Sequence, residues 1–101
     1  MKHRVKLQTL LENILGSRNV YFQPPENIQL KYPCIIYELD NLKYRYADDS
    51  VYFQSDIYSI TVIDKDPESS IVDKVSLLPT CRFDRQFKSD NLYHTVFTIH
   101  Y

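Results

Sequence analysis

A chain of 101 residues fits one small folded domain, residues 1–101, and its 44% hydrophobic and 25% charged side chains argue against disorder. A net charge of −1 gives no overall attraction to nucleic acid, and there is no run of about 18 apolar residues to span a bilayer. Two cysteines are too few for a disulfide framework, so Cys34 and Cys81, each within an apolar strand pattern, are expected as buried reduced thiols.

Beyond those bounds, the composition is unusual in its 9 Tyr and 5 Phe beside a single Gly and no Trp. Tyrosine joins a broad apolar ring to a polar tip, which suits half-buried sheet surfaces and subunit interfaces alike. The opening Met1–Lys6 leads into a segment with polar Gln8, Glu12 and Asn13 rather than a signal-peptide core, so the chain is expected to be soluble and cytoplasmic when made.

In chain order, Leu7, Leu10, Leu11, Ile14 and Leu15 recur at helical spacing opposite Lys6, Gln8, Glu12 and Asn13. They predict an amphipathic helix from Val5 to Leu15, with Gly16 at its C-terminal cap and Arg18 near the negative end of its dipole. Val20–Phe22 is a short strand candidate. Pro24 and Pro25 then force an extended path, and the run to Lys31 reads as a loop. Tyr32–Asp40 reads as a strand, with Pro33 at its start where a lost ladder donor is tolerated. Between Asn41 and Phe53, tyrosines alternate with charges in a hairpin-like excursion with its tip near Ala47–Ser50.

The stretch Tyr58–Pro79 organises the rest, because within it the apolar period changes from two to about 3.6. Tyr58, Ile60 and Val62 fall on one face of a central strand, and Ile57, Thr61 and Ile63 on the other. Asp66 is placed as N-cap of a second helix with Pro67 at its first position, and Pro79 ends it. Thr80–Lys88 alternates Phe83 and Phe87 with Asp84 and Lys88, which predicts a strand with one apolar and one wet face. Ser89–Asn91 turns the chain into a last strand, Leu92–Tyr101, paired with the preceding one. The expected fold is α+β: a mostly antiparallel sheet of about four main strands covered by two helices, in the order α-β-β-α-β-β, with an extended hairpin or loop at 41–53.

No catalytic signature emerges. Asp64-Lys-Asp66 lacks the further ligands, glycine and closing glutamate of a calcium loop, so strand termination and helix capping explain both aspartates. His3, His94 and His100 form no HExxH pair, and His94 and His100, six apart on one strand, share a face roughly 20 Å apart. Glu38, Asp40 and Lys43 come nearest to a nuclease cluster but read as solvated strand-end charges, and with Gly16 the only glycine there is no phosphate loop. No catalytic, metal or cofactor residue is expected. Aromatic and basic residues alternate around Tyr44–Tyr52, the best nucleic-acid candidate in the chain, but Asp48 and Asp49 weaken it; an arm that touches a neighbouring subunit fits the mixed charge better, and a simple solvated hairpin fits it equally.

Three blocks, Tyr32-Pro-Cys-Ile-Ile-Tyr37, Tyr58–Ser69 and Leu78–Arg85 with the later Asp90-Asn-Leu-Tyr-His94, resemble in that order the small tail-terminator, or tail-completion and head-tail joining, proteins of long-tailed bacteriophages. The resemblance spans about residues 4–101. It implies a virion protein that is not an enzyme: an α+β subunit, assembled in the host cytoplasm, that forms a hexameric ring, caps the tail tube and offers its other face to the head connector. The implied partners are further copies of the chain, the major tail-tube protein and a head-connector protein; DNA passes through the ring without specific binding. The expected subunit or tube contacts are Tyr44, Arg45, Tyr46, Asp48, Asp49 and Tyr52. A head-side stopper or adaptor, or a small nucleic-acid-binding module, are the alternatives.

Overall fold

In a computed structural model, residues 2–25, 28–47 and 50–101 are described, those at 2–3, 41–47 and 50–56 by their backbone alone. Two helices and five strands follow one another as α1 (Lys2–Leu15), β1 (Val20–Phe22), β2 (Cys34–Ala47), β3 (Ser50–Asp64), α2 (Ser70–Ser76), β4 (Arg82–Ser89) and β5 (Leu92–His100). The strands form one mixed sheet in the order β1-β2-β3-β5-β4, antiparallel except for the short parallel edge β1–β2. This is the α+β architecture expected from the sequence, with β1 added as a fifth strand.

The two periodicities meet in one core. Ile35 and Tyr37 of β2, Tyr58, Ile60 and Val62 of β3, and Phe97 and Ile99 of β5 all point to one face, where Leu7 and Leu11 of α1 and Val75 of α2 close over them. Each of these side chains is at most 1% exposed. Burying a residue of this size contributes about 1.5–3 kcal/mol. The stripe read at Leu7, Leu10, Leu11, Ile14 and Leu15 is therefore the one that packs, and the chain leaves α1 through Gly16, whose φ of +80° is strained for any side chain.

Polar bonds fix how α1 sits on the sheet. The Gln8 amide donates to the Val20 carbonyl at 3.0 Å and accepts from the buried Tyr37 hydroxyl, while the Arg4 guanidinium lies 4.8 Å over the Phe22 ring. The helix is thereby keyed to β1 and β2 at once. Beyond Phe22, the Gln23–Pro33 connection carries the chain to β2, and Pro24 and Pro25 supply no donors with which β1 could continue.

On the helix-free face lie Cys34 and Ile36 of β2, Ile57, Thr61 and Ile63 of β3, and His94 and Val96 of β5. Ile57, Ile63 and Val96 are buried there, so β3, expected as a central strand covered on at least one side, is covered on both. Cys34 is buried on this side, whereas Cys81 lies just ahead of β4, partly buried against the helix-side core. Both thiols are free. Burial pushes each of them up to about 11.

Two local expectations are corrected. Asp66 does not cap α2; Ser69 does, its hydroxyl accepting the Ile71 amide at 3.2 Å, and Asp66 instead accepts the Glu68 amide at 2.9 Å in a turn ahead of the helix. The physical reason is that the apolar positions Ile71, Val72, Val75 and Leu78 reach the core only from Ser70 onward. The expected stop holds: α2 ends at Ser76 with Leu77 as its C-cap two residues ahead of Pro79, and the last carbonyls are met by the Leu77 and Leu78 amides. Finally, a register shift between Phe83 and Arg85 puts Phe83 opposite Phe97 on the helix side and Phe87 opposite His94 on the other, so β4 does not have one apolar face.

Candidate interaction surfaces

The β2–β3 hairpin dominates the molecule's outline. Strand β5 pairs with β3 only from Ile57 onward, and β1 pairs with β2 only to Tyr37. Past those points the ladder continues as a free two-stranded ribbon, from Leu42 opposite Asp56 to Ala47 opposite Ser50. A register shift between Leu39 and Asn41 sits where the ribbon leaves the sheet, the position at which a bulge bends a strand. With this ribbon the molecule measures 50 × 24 × 23 Å.

Four of the expected contact residues, Tyr44, Arg45, Tyr46 and Tyr52, fall on this ribbon. Tyr44 is paired with Gln54, Arg45 with Phe53 and Tyr46 with Val51, which leaves Tyr52 as the extra residue of a second shift. Asp48 and Asp49 lie outside the described residues. The hairpin thus starts earlier and runs further than the sequence expectation of 41–53, since β2 and β3 are continuous with it from Cys34 to Asp64.

A second surface, which sequence reasoning missed, is the β4 edge. All eight residues of β4 are exposed, and its outer side has no neighbouring strand among the described residues. On it Phe83 and Phe87 are 63% and 42% exposed. Phe87 stacks on His94 with centroids 4.8 Å apart, and Phe83 meets Phe97 edge-on at 6.0 Å. Arg82, Arg85 and Lys88 make the edge basic against one acid, Asp84, which pairs with Arg85 at 2.9 Å. The available signal was the run of aromatic and basic residues itself; the shift that turns the two phenylalanines apart leaves no mark in an alternating pattern.

A third feature is a groove of about 400 Å³ between the Gln23–Leu30 connection and the helix-free face, lined by Pro24, Pro25, Ile28, Leu30, Ile36 and Glu38. Its walls are apolar apart from Glu38 and Gln23, and the Gln23 carbonyl oxygen is engaged by the Leu39 amide at 3.1 Å. It offers shape without converging polar groups, the combination a small-molecule site needs.

The acidic and histidine candidates are not drawn together. Asp64 accepts the Asp66 amide at 3.3 Å, consistent with a strand end. Glu38 and Asp40 are exposed, and the Lys43 side chain is outside the described residues. His94 and His100 pair with Ile63 and Ile57 at opposite ends of β5, and the His3 side chain is not described. Among the described residues, no three His, Cys, Asp or Glu side chains are grouped to hold a metal, and no helix is long and apolar enough to cross a membrane. No family model, curated protein or solved structure matches this chain.

Proposed function

We propose that this chain is a ring-forming structural subunit of the phage tail-terminator class, which closes the tail tube as a hexamer and joins it to the head connector. The reading stands on the sequence resemblance and on one structural observation: a two-stranded ribbon whose ladder continues past the points where β1 and β5 stop pairing. A projecting ribbon gains stability only when a partner covers it. A small domain with one core can be soluble as a monomer and still gain from a repeated interface. The subunit performs no reaction and holds no cofactor; its work is assembly, in the host cytoplasm and then in the virion, with the tail-tube protein on one side and the connector on the other.

Two measurements test this. In the genome, a major tail protein encoded immediately downstream favours the terminator over a head-side stopper or adaptor. In solution, the purified chain is expected to be a hexamer, or a monomer that becomes one on tail tubes; a stable dimer with no affinity for tail-tube protein would contradict it.

A further inference from the structure

The outer side of β4 is a sheet edge with no neighbouring strand among the described residues, and all eight of its residues are exposed. Such an edge is a template for a further strand, and its charge decides which strand it accepts. Arg82–Ser89 carries three bases and one acid in a chain whose net charge is −1, so this edge is basic against the rest of the molecule. Arg82 lies opposite Thr98 and Arg85 opposite Val96, which puts both on the helix-free face, with Phe87 and its stacked His94 beside them. Phe83 and Lys88 stand on the helix side, opposite Phe97 and Tyr93. Asp84 pairs with Arg85 at the surface, where such a bridge contributes little, and Arg82 and Lys88 have no acidic partner among the described residues.

We propose that the β4 edge receives an extended acidic segment of another protein, which adds to the sheet as a further strand. This goes beyond the ring reading and does not depend on it. Strand addition gives the edge amides and carbonyls, otherwise met by water, a matching row of acceptors and donors. With its acidic residues on the helix-free face, the segment meets Arg82 and Arg85, and the apolar residues between them fall on the helix side against exposed Phe83. A second β4 edge is disfavoured, since it would oppose bases to bases. A nucleic-acid strand would meet the bases but has no alternating donors and acceptors with which to complete the ladder. The charge therefore selects an acidic chain, and the open backbone selects an extended one.

The test uses the full chain and a labelled peptide of about eight residues in which glutamate alternates with valine, read by fluorescence anisotropy at low salt. Saturable binding is expected, together with slowed hydrogen exchange at alternate amides of β4, those that face outward. Methylating every second peptide amide gives two further peptides; one should lose binding and the other keep it to within a few-fold, because only one set of amides faces the edge. Arg82→Glu with Arg85→Glu should weaken the acidic peptide by about tenfold or more and favour one with lysine in place of glutamate. Unchanged thermal unfolding checks that this variant is folded, and the methylated pair carries the test if it is not. No saturable binding up to about 1 mM overturns the proposal. So does equal binding of both methylated peptides with displacement by single-stranded DNA, which assigns the edge to nucleic acid. Protection of the same β4 amides without peptide, lost on dilution, also overturns it and assigns the edge to a second copy.

Discussion

The hydroxyl of Tyr37 shows how single groups hold this fold in register. It is buried between sheet and helix, donates to the Gln8 side chain, and is held above its ordinary pKa by burial, with Arg4 acting in the opposite direction. Tyr37→Phe should therefore cost about 1–1.5 kcal/mol in denaturant unfolding without loss of packing, and a double-mutant cycle with Gln8→Ala should show coupling. Cys34 gives a prediction in pH. Its thiol stays protonated in the folded chain up to about 11 but ionises near 9.0 when unfolded, so the folded state holds the extra proton between those values. Stability should then fall as pH rises from about 9 to 11, and Cys34→Ala should flatten that part of the profile relative to the unmodified chain. Such residues were legible as apolar or polar from the sequence. Their partners were not, because Gln8 and Tyr37 are 29 positions apart and meet only after α1 docks.

At the scale of elements, α2 tests the reassigned cap. Ser69→Ala should cost about 1 kcal/mol, since it removes the acceptor for the Ile71 amide, whereas Asp66→Ala should stay within about 0.5 kcal/mol because its turn is exposed. The reverse ranking would restore Asp66 as the cap. The β4–β5 turn is another such case: Asp90 and Asn91 both hold positive φ, of 52° and 63°, the backbone of a two-residue turn matched to strand twist. Asn91→Gly should stabilise thermal unfolding by about 0.5 kcal/mol, because glycine adopts that φ without steric cost. Periodicity revealed α1, β3 and β5, where long apolar patterns agree with the faces that are buried. It failed at α2, where Asp66 and Ser69 are both capable caps and only the depth of Ile71 and Val75 separates them, and at β4, where one extra residue turns Phe83 from Phe87. Local propensity carries no information about either.

For the molecule as a whole, the division is between a packed body and a projecting ribbon. The body buries the helix-side core and keeps β3 central; the ribbon leaves the sheet at a bulge beside Asp40 and presents paired backbone with open sides. The excursion itself was legible as tyrosines among charges around Ala47–Ser50, but its reach depends on where β1 and β5 stop pairing, which is a tertiary fact. Replacing residues 42–55 by a tight two-residue turn should therefore leave the body folded while abolishing assembly. The central claim, that this subunit closes a tail tube, is tested most directly by electron microscopy of tail tubes assembled with and without the chain. The account predicts a sixfold ring seated at one end of tubes of limited length, absent when the ribbon is removed. Tubes with bare ends beside free chain would contradict it.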